Sequence, residues 1–145
     1  VKHRIQFVRN VNGVDFYNDS KATNVDATVK AVAAMSKPTI LILGGKDKGL
    51  DFTPLFEGIK GSKVKAIVAT GESAFRIAEC AKKCEFGEVS MTGDFNLAFY
   101  LAKKMAERGD AVLLSPACSS FDAFTDFEQR GDAFIKLVES ECGDE

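Results

Sequence analysis

Apolar and polar positions change period along this chain in a regular succession. Residues 4–9 and 14–18 flank Asn12-Gly13, a dipeptide that accepts positive φ at both centres of a type I′ turn, so a β-hairpin is expected there. Val25, Thr28, Val29 and Val32 then recur at i, i+3, i+4 and i+7, one face of a helix. Thr23, with Asp26 three positions on, has the form of a capping box and sets the helix start; Pro38 closes the region. Residues 39–43 are a continuous β-rich apolar run that stops at Gly44-Gly45, as a strand buried on both faces would. A polar loop over 46–51 leads to a short helix near 53–57.

The succession then repeats. Residues 64–70 read as a strand, 73–83 as a helix with Phe75, Ile77, Ala78 and Ala81 inward, and 86–91 as a short strand. Asp94 caps a helix whose stripe is Leu97, Ala98, Leu101, Ala102 and Met105, with Gly109 as the stop signal. Residues 111–114 form the last strand, 115–124 a loop, and 126–139 a final helix with Phe127, Phe134 and Val138 on one face. Strand, loop and helix in alternation predict an α/β fold: an open, mostly parallel, Rossmann-like sheet with helices on both faces and the N-terminal β-hairpin at one edge. Ligands in such sheets sit outside the carboxyl ends of the strands. Three polar loops leave strands there, over 18–24, 44–51 and 115–124, and their convergence would make one site.

Composition limits what that site can hold. A chain of 145 residues with 46% hydrophobic content and twelve Phe suits a single domain with a substantial core. Its formal net charge of −2 comes from interspersed acids and bases, so neither nucleic acid nor an anionic membrane finds a broad basic footprint, whereas a small anion needs only a local site. Cys80, Cys84, Cys118 and Cys142 form no C-x-x-C pair and the lone His3 excludes ligand sets with two histidines, so free thiols in a cytoplasmic protein are expected. No apolar run approaches the roughly 20 residues of a membrane span. The chain starts without Met and almost directly in a strand, as a piece of a longer protein would.

The densest chemistry is Asn18-Asp19-Ser20-Lys21-Ala22-Thr23-Asn24, an acid, an amine, two hydroxyls and two amides ahead of a helix start. Helix N-termini attract anions, and Lys21 adds a full charge; ordinary turn and capping roles for the same residues are the other reading. Gly44 and Gly49 have the spacing of a P-loop's two glycines, but Leu50-Asp51 stands where Lys-Ser/Thr is required, and no G-x-G-x-x-G follows any strand. This chain therefore does not hold a triphosphate alone. Ser115 precedes Pro116 with no histidine base after it, and Cys118 reads as a buried filler.

Taken together, His3-Arg4, the stretch 18–24, Leu43-Gly44-Gly45, Leu114-Ser115-Pro116-Ala117-Cys118-Ser119-Ser120 and Phe127-Glu128-Gln129-Arg130-Gly131 resemble the C-terminal domain of the Mur ligases. The resemblance runs over essentially the whole chain. It implies that residues 1–145 are the amino-acid-binding domain of a longer three-domain enzyme, an ATP-dependent carboxylate–amine ligase of peptidoglycan precursor synthesis. A central domain would carry the P-loop and most of the hold on ATP and Mg2+, and an N-terminal domain the UDP-sugar. The branch of the family it most resembles joins D-glutamate to UDP-N-acetylmuramoyl-L-alanine. The motif Asp-Asn-Pro-Arg, expected of the diaminopimelate-adding branch, is absent.

By resemblance, Arg4 and Asp19 lie near the adenosine portion of ATP with Lys21 close by, and Thr23, Lys48, Ser120, Phe121 and Phe127 surround D-glutamate. No metal ligand and no complete catalytic set falls in this chain, which is expected to be inactive alone and monomeric, its partners being those ligands and its own two missing domains. The residue types suit a dicarboxylate ligand, because two carboxylates need donors, which Lys48, Thr23 and Ser120 supply, while Phe121 and Phe127 exclude water. Lys46 stands where some relatives carry an acid, so Lys46 and Lys48 are alternatives for the substrate lysine. Phe127 also lies on the apolar stripe of the last helix, where core packing is an equal reading. A free-standing ligand-binding module without catalysis, or a sister ligase with another amino acid, is the alternative function.

Overall fold

The computed structural model describes residues 1–87 and 89–142, with nothing described for the Cys142 side chain. The elements in chain order are β1 (Gln6–Val11), β2 (Val14–Asn18), α1 (Val25–Ala33), β3 (Thr39–Gly44), α2 (Thr53–Gly58), β4 (Val64–Thr70), α3 (Ala74–Lys83), β5 (Val89–Thr92), α4 (Phe95–Met105), β6 (Ala111–Leu114) and α5 (Phe127–Cys142). They form a six-stranded sheet in the order β1-β2-β6-β3-β4-β5. Only β1 with β2 is antiparallel, through the turn at Asn12 (φ 53°) and Gly13 (φ 85°), and this hairpin occupies one edge as predicted.

Alternation along the strands splits the core in two. Leu41, Leu43, Ile67, Ala69 and Leu113 point to the face covered by α1, α2 and α3. Ile40, Ile42, Val68, Val112 and Leu114 point to the opposite face, covered by Ala98, Phe99 and Ala102 of α4 and Phe134 and Val138 of α5. All six residues of β3 are buried, which is why that segment reads as an unbroken apolar run.

Four expectations need correction. The N-cap of α1 is Asn24, whose side chain accepts from the Ala27 N–H at 2.9 Å; Thr23 lies one residue earlier and its hydroxyl is not spent on the cap. In α3 the buried residues are Ala74, Ile77 and Ala81, and Phe75 faces solvent at 63% exposure. In α4 the inward stripe is rotated toward Phe99, leaving Leu97 and Met105 exposed. Phe99 sits 5.7 Å from Phe16 and 5.8 Å from Phe134, and this aromatic cluster outweighs the aliphatic stripe in setting the helix's rotation. Strand β5 begins at Val89 rather than 86, after Glu85 and Gly87 take positive φ.

Topology locates the cleft. The loops after β2 and β3 run to helices on one face, whereas the loop after β6, the strand between them, runs to α5 on the other. Adjacent strands whose connections leave to opposite faces open a crevice at their carboxyl ends, the usual ligand position in such sheets. Here the three polar loops predicted to converge are the three that border it.

Candidate functional site at the carboxyl edge of the sheet

Backbone bonds stitch these loops together. Asp19 N–H donates to the Leu114 carbonyl at 2.7 Å, Ala117 N–H to Ala22, Gly44 N–H to Pro116, and Lys46 N–H to Ser119. The two glycines after β3 are needed for this approach. A Cβ on Gly44 would collide with the Thr70 carbonyl and one on Gly45 with the Ser119 carbonyl, both main-chain atoms that have nowhere to go.

Asp19 is buried at 3% exposure with both carboxylate oxygens engaged: Ile5 N–H donates to Oδ1 at 3.0 Å and Ser115 Oγ–H to Oδ2 at 2.6 Å. Burial pushes its carboxyl above the usual range, against the pull of those two bonds and of the Arg4 charge. Ile5 is held at φ 41°, unusual for a β-branched residue, and the bond to Asp19 is part of what keeps it there. Neighbouring Asn18 orders the start of the chain. Its Oδ1 accepts from Ser20 N–H, so its Nδ2 is the donor to Gln6 Oε1 and to His3 Nδ1 at 2.9 Å. His3 thus keeps its proton on Nε2, which faces Asp132 Oδ1 at 3.6 Å. The His3 ring in turn leaves no room for a side chain at position 131, which accounts for the glycine in Arg130-Gly131.

Arg130 is the hub that sequence reasoning missed as a site residue. It is 2% exposed, with Nε donating to Ser20 Oγ at 2.9 Å and Nη2 to the Ser20 carbonyl at 2.8 Å. Ser20 Oγ–H donates onward to the Phe127 carbonyl at 2.7 Å, so one guanidinium ties the loop after β2 to the start of α5. Burial pushes Arg130 down to about 10, partly opposed by the Cys118 thiol and the Asp122 carboxylate, so it stays charged at neutral pH. Cys118 is buried and its thiol pushed up by burial, in keeping with a filler. Cys80 and Cys84 are free thiols as expected, and the Cys142 side chain lies outside the described residues.

The remaining expected site residues fall into two neighbouring groups. Lys48 is exposed, with Nζ 5.9 Å from the centre of the Phe121 ring, itself 62% exposed, and Ser120 beside Phe121 is buried with no hydrogen-bond partner for Oγ among the described residues. On the other side of the loop after β6, half-buried Thr23 and exposed Lys21 follow Ser20, and half-buried Phe127 packs edge-on to His3 at 6.0 Å. Arg4 is exposed near Asp19. Among the described residues Lys21 and Lys48 form no ion pair, whereas Lys46 pairs with Glu72 at 3.5 Å. That difference favours Lys48 as the lysine available to a carboxylate.

A family model described as "Mur ligase, glutamate ligase domain" matches residues 3–118. The chain belongs to this family. It is 48% identical over 138 residues to the UDP-N-acetylmuramoylalanine–D-glutamate ligase of Lachnospira eligens, a match covering 95% of this chain and 30% of that protein. The chain thus spans about a third of the length of the curated relatives it matches. Among solved structures it resembles MurF ligase from Thermotoga maritima in complex with ADP, with a TM-score of 0.60 at 13% identity over 99% of this chain and 32% of that one. It also resembles an isolated domain from a putative UDP-N-acetylmuramate:L-alanyl-gamma-D-glutamyl-medo-diaminopimelate ligase of Haemophilus ducreyi. That likeness has a TM-score of 0.59 at 13% identity, covering 97% of this chain and 98% of that one, so a domain of this fold crystallises by itself.

Within this Mur ligase domain, exposed Arg4 and Lys21 at the loop after β2 offer cationic donors suited to a nucleotide's anionic or polar edge. Among the described residues no group of three or more His, Cys, Asp or Glu is placed to hold a metal ion. No helix among them is long and apolar enough to cross a membrane.

Proposed function

We propose that this chain is the C-terminal domain of a three-domain UDP-N-acetylmuramoylalanine–D-glutamate ligase, and that it presents D-glutamate to the activated substrate. The observation that carries the reading is the match along 95% of the chain to ligases of that name, at 44–48% identity. Supporting it, the loops bordering the crevice carry Lys48, which forms no ion pair among the described residues, Ser120, a buried hydroxyl with no hydrogen-bond partner among them, and Thr23, a hydroxyl released from capping.

In the proposed reaction ATP phosphorylates the carboxylate of UDP-N-acetylmuramoyl-L-alanine, releasing ADP. The D-glutamate amine attacks the acyl phosphate, and the tetrahedral intermediate expels phosphate to leave the amide. This domain's part is to bind and orient. Lys48, Thr23 and Ser120 receive the two carboxylates of D-glutamate, Phe121 and Phe127 screen water, and Arg4, Asp19 and Lys21 meet the nucleotide as this domain closes on the central one. The phosphates and magnesium are assigned to the missing central domain, so the chain alone is inactive; a monomer in the cytoplasm is part of the same proposal.

The test is phosphate release by the parent chain, given ATP, magnesium and UDP-N-acetylmuramoyl-L-alanine with D-glutamate, L-glutamate, lysine or diaminopimelate added separately. Release that depends on D-glutamate alone is expected. Dependence on another amino acid would move the chain to a sister ligase, and no release from folded protein would favour a binding module.

A further inference from the structure

Beside the proposed substrate loops lies a small cavity that none of the expected site residues lines. It measures about 20 Å³ and is bordered by Gly45, Thr70, Gly71, Asp122, Phe124 and Arg130 among others. Two buried polar atoms on its wall residues have no hydrogen-bond partner among the described residues: Arg130 Nη1, on a residue 2% exposed, and Thr70 Oγ1, on one 4% exposed. Asp122 provides the third polar group. Its Oδ2 accepts the Glu72 N–H at 3.0 Å, and no ion pair joins it directly to Arg130, although its charge is felt there.

Two glycines without side chains separate the charges. A Cβ on Gly45 would lie 3.1 Å from Arg130 Nη1, and one on Gly71 would lie 2.5 Å from Asp122 Oδ2 and 3.1 Å from the Gly45 nitrogen. A water molecule needs about 10–15 Å³ and two to four polar partners; the cavity has that volume, and its lining residues carry these three polar groups. An anion would gain from Arg130 but face the Asp122 carboxylate; water suits both.

The turn that Asp122 grips is also tied to the neighbouring loop. Glu72 Oε1 accepts the Asp47 N–H at 2.9 Å and pairs with Lys46, while Ser73 exchanges bonds with Gly45. Residues 70–73 therefore rivet the segment carrying Ser120 and Phe121 to the one carrying Lys48. We propose that Asp122 is a positioning residue, joined to Arg130 and Thr70 through one bound water, that holds Ser120 and Phe121 in register with Lys48.

The inference rests on the D-glutamate reading for its kinetic consequence but not for its structural one. In the parent enzyme, Asp122→Ala is expected to raise KM for D-glutamate about tenfold, the scale of a lost charge-assisted bond, with KM for ATP unchanged. Asp122→Asn, which keeps an acceptor for Glu72 N–H, should restore most of it. A merely structural role would lower the melting temperature without that split. An unchanged KM for D-glutamate, or an equal rise for ATP, overturns the proposal. Should Asp122→Ala not fold, Thr70→Val, which removes only one partner of the water, carries the kinetic test: a rise of a few-fold supports it and no rise overturns it.

A high-resolution crystal structure of the 145-residue domain, with a bromide soak, gives the independent readout. One water bonded to Arg130, Thr70 and Asp122 is expected; a bromide peak in the cavity, a dry cavity or direct contact between Arg130 and Asp122 overturns it. If wild-type parent enzyme ignores D-glutamate altogether, the functional reading fails and this crystallographic result still decides the bridge.

Discussion

The Ser115 hydroxyl donates to Asp19 Oδ2 at 2.6 Å, joining the first residue after β6 to the first after β2 across 96 positions of sequence. The bond closes the crevice floor between two strands that pair in parallel, Asn18 beside Leu114. Ser115 is fully buried, so no water replaces its hydroxyl readily. Ser115→Ala therefore strands one oxygen of a buried carboxylate and should cost about 1–3 kcal/mol, read as a lower urea midpoint at unchanged m-value. An unshifted midpoint would mean that Asp19 does not depend on this bond.

Two buried acids should give opposite pH slopes. For Asp110, burial raises the carboxyl, but the Lys65 ammonium and the Glu107 N–H outweigh it and leave it below its ordinary value. A carboxyl depressed in the fold stabilises above its unfolded pKa of roughly 4, and that contribution is lost as pH falls through the folded value. Asp110→Asn should thus weaken the domain at neutral pH, with the deficit shrinking below about pH 4. Asp19 is raised by burial, so its favourable contribution belongs to the protonated form and is lost as pH rises through the folded value. Asp19→Asn should gain relative to wild type as pH rises from about 4. Urea melts from pH 3 to pH 7 would check both; parallel slopes would contradict the assignment.

Strands β4 and β6 were legible to the residue: β6 is a fully buried apolar run, and β4 joins a partly exposed start at Val64-Lys65-Ala66 to a buried half that ends at Gly71. The rotation of α4 was not, since Phe99 and Leu101 both fit a helical stripe and the choice is made by Phe16 and Phe134, far away in sequence. Nor was the cap, where Thr23 and Asn24 are both good residues and only backbone geometry selects Asn24. The three loops of the site were legible from strand ends and polarity. Arg130 was visible only as part of a motif: on a helix with polar neighbours an arginine looks solvated, and its partner Ser20 lies 110 residues upstream. A signal was present in the adjacent Gly131, a helix-interior glycine that a solvated surface would not need.

Lys46 and Lys48 should separate in the parent enzyme. Lys46 already pairs with Glu72, whereas among the described residues Lys48 forms no ion pair and its ammonium lies 5.9 Å from the centre of the Phe121 ring. Lys48→Ala is expected to weaken use of D-glutamate by about 10- to 100-fold with the melting temperature nearly unchanged, while Lys46→Ala, losing an exposed pair, shifts it by less than about threefold. Steady-state kinetics at varied D-glutamate decide this; the reverse ranking would reassign the substrate lysine.

Ser20 and Arg130 should behave as one unit. Arg130 spends Nε and Nη2 on the hydroxyl and carbonyl of Ser20, and the same hydroxyl reaches the Phe127 carbonyl. Arg130→Lys keeps the charge but loses the planar fork, so it should cost roughly 1.5–3 kcal/mol and free the first turn of α5. Ser20→Ala removes the hydroxyl from both bonds at once. Because the two substitutions delete a shared bond, the double variant should fall short of the summed losses by about 0.5–3 kcal/mol. Chemical denaturation of the four proteins gives that coupling, and amide exchange should quicken over residues 127–131 in each variant while β3 stays protected. Simple additivity, with α5 as protected as in wild type, would show that Phe127 is held by core packing and not by this bridge.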